Sequence, residues 1–148
     1  MSSPRLAARA VIVEEGRLLL VNAYPDGRSD LWCAPGGGVT RGTDLPTNLA
    51  REVAEETGLV IEVGPLVLLN EFHNPADGFH QVDLFFRARV IGGGLDPAWI
   101  DPEAVVTLRR FFTEAEMAGI RVKPDSLARV AFHPVEGVIY DGLEELVT

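Results

Sequence analysis

Residues 36–59, GGGVTRGTDLPTNLAREVAEETGL, hold the densest set of groups able to do chemistry in this 148-residue chain. On a helix turning about 100° per residue, Glu52, Glu55 and Glu56 fall within an arc of roughly 100°, so three carboxylates crowd one side. Their repulsion costs a few tenths of a kcal/mol per pair in water and more where burial weakens screening. Glu56 also lies beside the Leu45, Leu49, Val53 stripe that must face the core. A divalent cation relieves this crowding. Mg²⁺ takes carboxylate oxygens, keeps several waters, and leaves positions for substrate phosphates. Taken alone, EVAEE on a helix reads as a solvated acidic face. The preceding Gly36, Gly37 and Gly38 shift that reading, because a glycine run lets backbone approach a ligand closely and frees its N–H and carbonyl groups. Arg51 stands next to the carboxylates, able to orient one of them or to serve as an ordinary surface arginine.

Those residues need a scaffold, and the sequence predicts it in outline. Residues 45–57 carry the helical period, with Asp44 or Thr43 as N-cap, Pro46 in the first turn and Gly58 as the stop. Residues 7–13 and 17–23 read as a hairpin through Glu14-Glu15-Gly16, and a short strand follows at Leu31 to Ala34. Residues 59–72 read as strand, kink at Gly64-Pro65, and strand again, and 73–78 have turn chemistry. Then Val82, Leu84, Phe86, Ala88 and Val90 alternate with Gln81, Asp83, Phe85, Arg87 and Arg89, which predicts a sheet with one well buried face. A strand at Val105 to Phe112 and a short acidic helix from Thr113 to about Ala118 complete the readable part. The expected class is α/β, a single domain over residues 1–148 with a mixed central sheet.

Composition narrows the function. Asp and Glu outnumber Lys and Arg by 22 to 13, a formal net charge of −9, which disfavours a stable nucleic-acid complex or an anionic membrane surface. The longest aliphatic runs are about four residues where a spanning helix needs roughly 20. MSSPRLAARA has no apolar core of a signal peptide, and the lone Cys33 makes no internal disulfide, so a cytoplasmic address is expected. Twelve of the thirteen basic residues are Arg, whose planar fork suits phosphate.

The segment resembles the Nudix box: Gly, five residues, Glu, seven residues, Arg-Glu, an aliphatic, any residue, Glu-Glu, any residue, Gly, an aliphatic. The matching positions are Gly37, Thr43, Arg51, Glu52, Val53, Glu55, Glu56, Gly58 and Leu59, with Thr43 where the first Glu belongs. The resemblance implies an α/β/α sandwich and hydrolysis of a nucleoside diphosphate linked to another group, with Mg²⁺ or Mn²⁺ as cofactor. It implies that Glu52, Glu55 and Glu56 bind metal with the carbonyl of Gly36, and that Glu55 or Glu56 activates water. It further implies a carboxylate from a later loop, for which Glu103 in IDPEA is the first choice and Glu71 and Asp101 are weaker. A small-molecule nucleotide would be the substrate, and homodimers are a habit of the family. In the family the missing Glu pairs with the residue matching Arg51, so Thr43 leaves Arg51 to contact Asp44 or to turn toward phosphate.

Arg51, Arg28 and Arg87 are the leading candidates for substrate phosphates, with Arg89, Arg109 and Arg110 behind them. Trp32, Phe72, Phe79, Phe85 and Phe86 are candidates to stack on a base, although aromatics at strand spacing are mostly core. Arg87 and Arg89 share a strand face with Gln81 and Asp83, which suits the lining of a cleft. Two other readings compete with the hydrolase. A non-catalytic nucleotide-binding or partner-binding module on this fold should have lost helix carboxylates, and all three are present. An isoprenoid diphosphate isomerase needs a cysteine facing a glutamate, whereas Cys33 sits in an apolar run before the box.

Overall fold

The computed structural model describes residues 3–148. Strands β1 (Arg5–Glu14) and β2 (Arg17–Asn22) form the expected hairpin, with Glu15 and Gly16 both at positive φ in its turn. Short strands β3 (Leu31–Cys33) and β4 (Gly36–Gly38) precede helix α1 (Leu45–Thr57). The long β5 (Val60–Asn74) and β6 (Phe79–Gly92) follow, then β7 (Arg109–Phe112), helix α2 (Glu114–Met117), β8 (Arg121–Val122), helix α3 (Leu127–Phe132) and β9 (Ile139–Glu145). The strand order is β8-β3-β2-β1-β6-β5-β9, with β4 added to β1 and β7 to β2.

The sheet is mixed. β1 runs parallel to β6 and antiparallel to both β2 and β4. β1 pairs with β4 through Ala7, Ala8 and Arg9, and with β2 through Val13 and Glu14, so its two neighbours diverge near Arg9. The site is built at that divergence.

One core, including Ile12, Leu19, Leu49, Val53, Ile61 and Phe86, lies between the sheet and α1. The other, including Val11, Leu20, Phe85, Phe112, Leu127 and Val130, lies under α2 and α3. The element pattern predicts an α/β class with a mixed sheet, and the helices on both faces give the α/β/α layering that the resemblance implies. β6 therefore departs from the expectation of one buried face. Phe86 and Ala88 face α1, while Gln81, Asp83 and Phe85 are buried on the opposite side. Burying a Phe contributes about 2–3 kcal/mol, so Phe85 anchors the second face strongly.

β5 bends where expected. Its register with β6 shifts between Val63 and Leu66, and Pro65, which has no N–H to donate, occupies the irregularity. The strand predicted at Val105 to Phe112 begins only at Arg109, because the preceding N–H groups bond to side chains. Val105 and Val106 donate to Asp101, and Thr107 and Leu108 donate to Asn22. β9, for which the sequence offered no signal, pairs parallel with β5 through Leu68↔Ile139 and Phe72↔Glu144.

Candidate functional site

Helix α1 sets three carboxylates at different depths. Asp44 caps it by accepting from Thr47 N at 2.8 Å, and Gly58 ends it at φ +77° with its N–H on Ala54 O. Leu49 and Val53 are fully buried and hold the inner face. Glu52 and Glu56 are then 7% and 6% exposed, whereas Glu55 stands further out.

Glu56 turns inward, and its Oε2 accepts from Gly36 N at 3.1 Å. Burial is the main cause that lifts its pKa to about 8, with Glu52 and Asp101 adding to it. Arg9 and the Gly36 N–H oppose the rise. Glu52 is also raised, first by burial and then by Glu103. Both shifts express crowded negative charge in a site that water screens poorly.

The glycines before the helix are required by contact. Gly36 adopts φ +147°, and a Cβ there would lie 2.0 Å from Ala8 O. A Cβ on Gly37 would fall 2.7 Å from Glu52 Oε2, in the space the carboxylate occupies. The glycine run therefore lets β4 pair with β1 while Glu52 rests against it.

A second element completes the cluster. Carboxylate oxygens of Glu52, Glu55 and Glu103 lie within 4.8 Å of one another. Glu103 comes from the loop before β7, which is fixed in two places. Buried Asp101 accepts from Glu103 N at 3.0 Å, Val105 N at 3.2 Å and Val106 N at 2.9 Å. Trp99 Nε1 donates to Glu55 O at 2.8 Å, and its ring covers Gly58. An all-carboxylate oxygen set drawn from two elements suits a hard divalent cation.

Arg51 contacts Glu55 Oε1 at 3.2 Å, Glu52 Oε1 at 3.5 Å, Asn48 Oδ1 at 3.2 Å and Thr40 Oγ1 at 3.3 Å. Thr40 and Asn48 thus supply neutral acceptors beside the two acidic ones. Asp44 is occupied with its capping bond, and Thr43 N bonds to Thr40 O in the loop.

Several predicted residues make no recorded contact with the helix carboxylates' side chains. Arg28 is exposed in the loop before β3, its N–H on Pro25 O. Arg87 donates to Val130 O at 2.7 Å beneath α3, and Arg89 pairs with Glu62 at the surface. Arg109 bonds to Glu56 O, so it ties down the end of α1, and Arg110 pairs with Glu116 over the Phe112 ring. Glu71 accepts from His80 and Tyr140, away from the helix carboxylates. Trp32 packs edge-on against Phe112, and burial pushes the Cys33 thiol up to about 11.

Sequence reasoning missed Arg9 and Trp99. Arg9 Nη1 lies 3.3 Å from both Ala34 O and Gly36 O, and its Nε is 3.8 Å from Asp83 Oδ2. Burial works against its charge, yet Asp83, Cys33, Glu56 and Glu52 together hold its pKa above the ordinary value. The alternation of AARAVIV carried the one signal, a charged residue inside an otherwise apolar strand.

A family model described as NUDIX domain matches residues 3–136. A MutT-like protein of Streptomyces ambofaciens is 33% identical over 105 residues, covering 66% of this chain and 64% of that protein. An ADP-ribose pyrophosphatase of Methanocaldococcus jannaschii is 28% identical over 92 residues, covering 62% of this chain and 54% of that protein. Each match spans less than two thirds of the relative's own length. In fold, the chain is similar to the crystal structure of a UDP-X diphosphatase, with TM-score 0.72 and 20% identity over 97% of this chain and 68% of the other.

Proposed function

The chain belongs to the Nudix family, and on that premise we propose that it is a divalent-metal-dependent hydrolase cleaving the pyrophosphate bond of a nucleoside diphosphate linked to another group. The observation that carries the reading is the meeting of Glu52, Glu55 and Glu103, whose donor oxygens lie within 4.8 Å although they come from a helix and a separate loop. Their oxygen-only character fits Mg²⁺, with Mn²⁺ as a substitute. When bound, such a cation supplies charge neutralisation at the pyrophosphate and lowers the pKa of a coordinated water.

Glu52, Glu55 and Glu103 are the residues we assign to hold it, with Gly36 and Glu56 completing the site from β4 and the inner side of α1. Glu56 is assigned to receive the proton of the attacking water. Its carboxyl is oriented by Gly36 N–H, and a cation held by the neighbouring carboxylates would favour the ionised form that a general base needs, against the burial that raises its pKa in the metal-free protein. Arg51 beside the cluster and Arg9 at its inner edge are the cations we assign to substrate phosphates, in a site where fixed positive groups favour the developing charge. Arg87 is not retained for that task, since its guanidinium is engaged with Val130 O beneath α3, whereas the exposed Arg28 stays a candidate.

The names of the relatives support the substrate class, since both an ADP-ribose pyrophosphatase and a UDP-X diphosphatase are named for a nucleoside diphosphate carrying a second group. Among the described residues, no helix is long and apolar enough to cross a membrane. The proposed setting is the cytoplasm, where the free thiol of Cys33 would persist.

Mg²⁺ titration followed by melting temperature tests the metal assignment. A cation at 100 times its Kd stabilises the native state by about 2.7 kcal/mol, so wild type should melt higher with Mg²⁺ and Glu52→Gln much less so. A flat response in wild type contradicts the site. Nucleotide binding without turnover would instead favour a binding module on the same fold.

A further inference from the structure

At the bend of β5, beside α3 and the loop of residues 133–138, lies a cavity of about 280 Å³ whose lining includes none of Glu52, Glu55, Glu56, Glu103 and Arg9. The bend makes the room. β5 and β6 change register between Val63↔Ala88 and Leu66↔Phe86, so Arg87 of β6 faces the bulged Gly64 and Pro65 instead of a paired residue. A Cβ on Gly64 would stand 3.0 Å from Arg87 O, and Pro65 forms part of the cavity wall. Arg87 lies four residues along β6 from Asp83, the residue that stands beside Arg9.

The walls are apolar, with one cation among them. Pro65 and Val67 of β5, Val130 of α3, Pro134 and Val135 of the loop, and Ile139 of β9 supply hydrocarbon. Arg87 is half-buried, and its Nη2 donates to Val130 O at 2.7 Å, which anchors the guanidinium at the wall. A guanidinium carries five N–H groups, so this bond leaves four. No carboxylate pairs with Arg87 among the described residues, and no fully buried side-chain polar atom lacks a partner. The remaining N–H groups are therefore open to the cavity or its mouth.

Charge and size select the occupant. A cation partly withdrawn from water without a counter-charge is costly, and an incoming anion relieves that cost. The planar fork suits a carboxylate, which takes two parallel N–H···O bonds. A phosphate monoester would bring up to about two negative charges to a single cation, with Glu136 on the same lining. A volume of about 280 Å³ sits at the lower edge of the range for small-molecule sites, room for a short chain and not for a nucleotide. Val135, an apolar residue of the lining, is 61% exposed, and an aliphatic chain in the cavity would cover part of it.

We propose that this cavity is a second ligand site, separate from the carboxylate cluster, that binds a small aliphatic monocarboxylate through Arg87. The site does not depend on the pyrophosphohydrolase reading, and its test needs neither metal nor nucleotide.

Hexanoate is titrated into the full chain in EDTA and followed by backbone amide NMR, with hexanamide as the uncharged control and acetate as the control without a chain. Saturable shifts should fall at Val67, Arg87, Val130 and Ile139. Hexanoate should bind about tenfold or more tightly than hexanamide, the range of a charge-assisted bond, and tighter than acetate by up to about fourfold per added methylene. Arg87→Met should weaken hexanoate about tenfold and leave hexanamide unchanged, a selectivity that a merely structural role for Arg87 would not give. Glu136→Gln, at an exposed position where folding is not at risk, should strengthen hexanoate several-fold at low salt and leave hexanamide unchanged. Equal affinities for hexanoate and hexanamide, shifts confined to Glu52 and Glu55, or no saturable shift up to about 50 mM hexanoate would overturn the site.

Discussion

The indole N–H of Trp99 donates to the main-chain carbonyl of Glu55 at 2.8 Å, and this bond fastens the loop that carries Glu103 to the last turns of α1. Two of the three clustered carboxylates are thereby linked through backbone and an aromatic side chain rather than through any attraction of their own. Like charges would otherwise separate.

Trp99→Phe keeps a ring over Gly58 and removes the hydrogen bond. A single such bond contributes about 0.5–1.5 kcal/mol, so the affinity for Mn²⁺ or Mg²⁺ should fall by up to about tenfold. Isothermal titration of the metal reads this directly. An unchanged affinity would mean that Glu103 is held without the clamp.

Asp101 acts on the same loop from below. Asp101→Asn leaves one carbonyl oxygen for three N–H groups, Glu103, Val105 and Val106, and should cost about 1–3 kcal/mol of unfolding free energy in denaturant melts. Metal affinity should fall with it. In an Asp101→Asn, Glu103→Gln double variant the two affinity losses should not add, because both act through one ligand. Additive losses would give Asp101 a structural role alone.

Stability of the metal-free protein should decline with pH. The folded-state pKa of Glu56, about 8, lies above its ordinary value of 4.5, so the native state holds a proton that the unfolded state has released between those limits. Stability associated with Glu56 is full below about pH 4.5 and is lost as pH rises through 8, with a total on the order of a few kcal/mol. Glu56→Gln should flatten this part of the profile, and saturating Mg²⁺ should weaken it by favouring the ionised form. Thermal melts from pH 5 to 9 check the slope, and a stability that climbs over this range would contradict the assignment.

Arg51 offers a prediction of unusual sign. It is partly exposed and screens Glu52 and Glu55, so Arg51→Met should cost the metal-free protein no more than about 1 kcal/mol. Removing a positive charge beside two metal ligands should strengthen Mg²⁺ binding several-fold at low salt, while KM for the nucleotide rises. Weaker metal binding in this variant would argue that Arg51 orders the carboxylates more than it repels the cation.

The helix and its three glutamates were legible because local signals agreed. Period, cap, Pro46 and Gly58 all mark one element, and its apolar stripe settles which side is inward. Glu103 was legible only as a preference among loop acids, since nothing near it in sequence reveals that Trp99 and Asp101 bring its loop to α1. Arg87 shows how a correct face can still mislead. It shares a strand side with Asp83, but four residues of strand advance about 13 Å, enough to carry it from Asp83's place beside Arg9 to one beneath α3. Arg9 gains its significance from β4 and β6, and long-range strand pairing of that kind leaves no periodic trace in the segment that contains it.

The most direct test incubates the protein with Mg²⁺ and nucleoside triphosphates, nucleotide sugars, ADP-ribose and dinucleoside polyphosphates, and identifies the products beside those of Glu56→Gln. Wild type should split a pyrophosphate bond in at least one of these, stop on adding EDTA, and exceed the variant by about 100-fold or more, the range in which a positioned general base contributes. Equal rates for wild type and Glu56→Gln across the whole panel would contradict a hydrolytic site on α1.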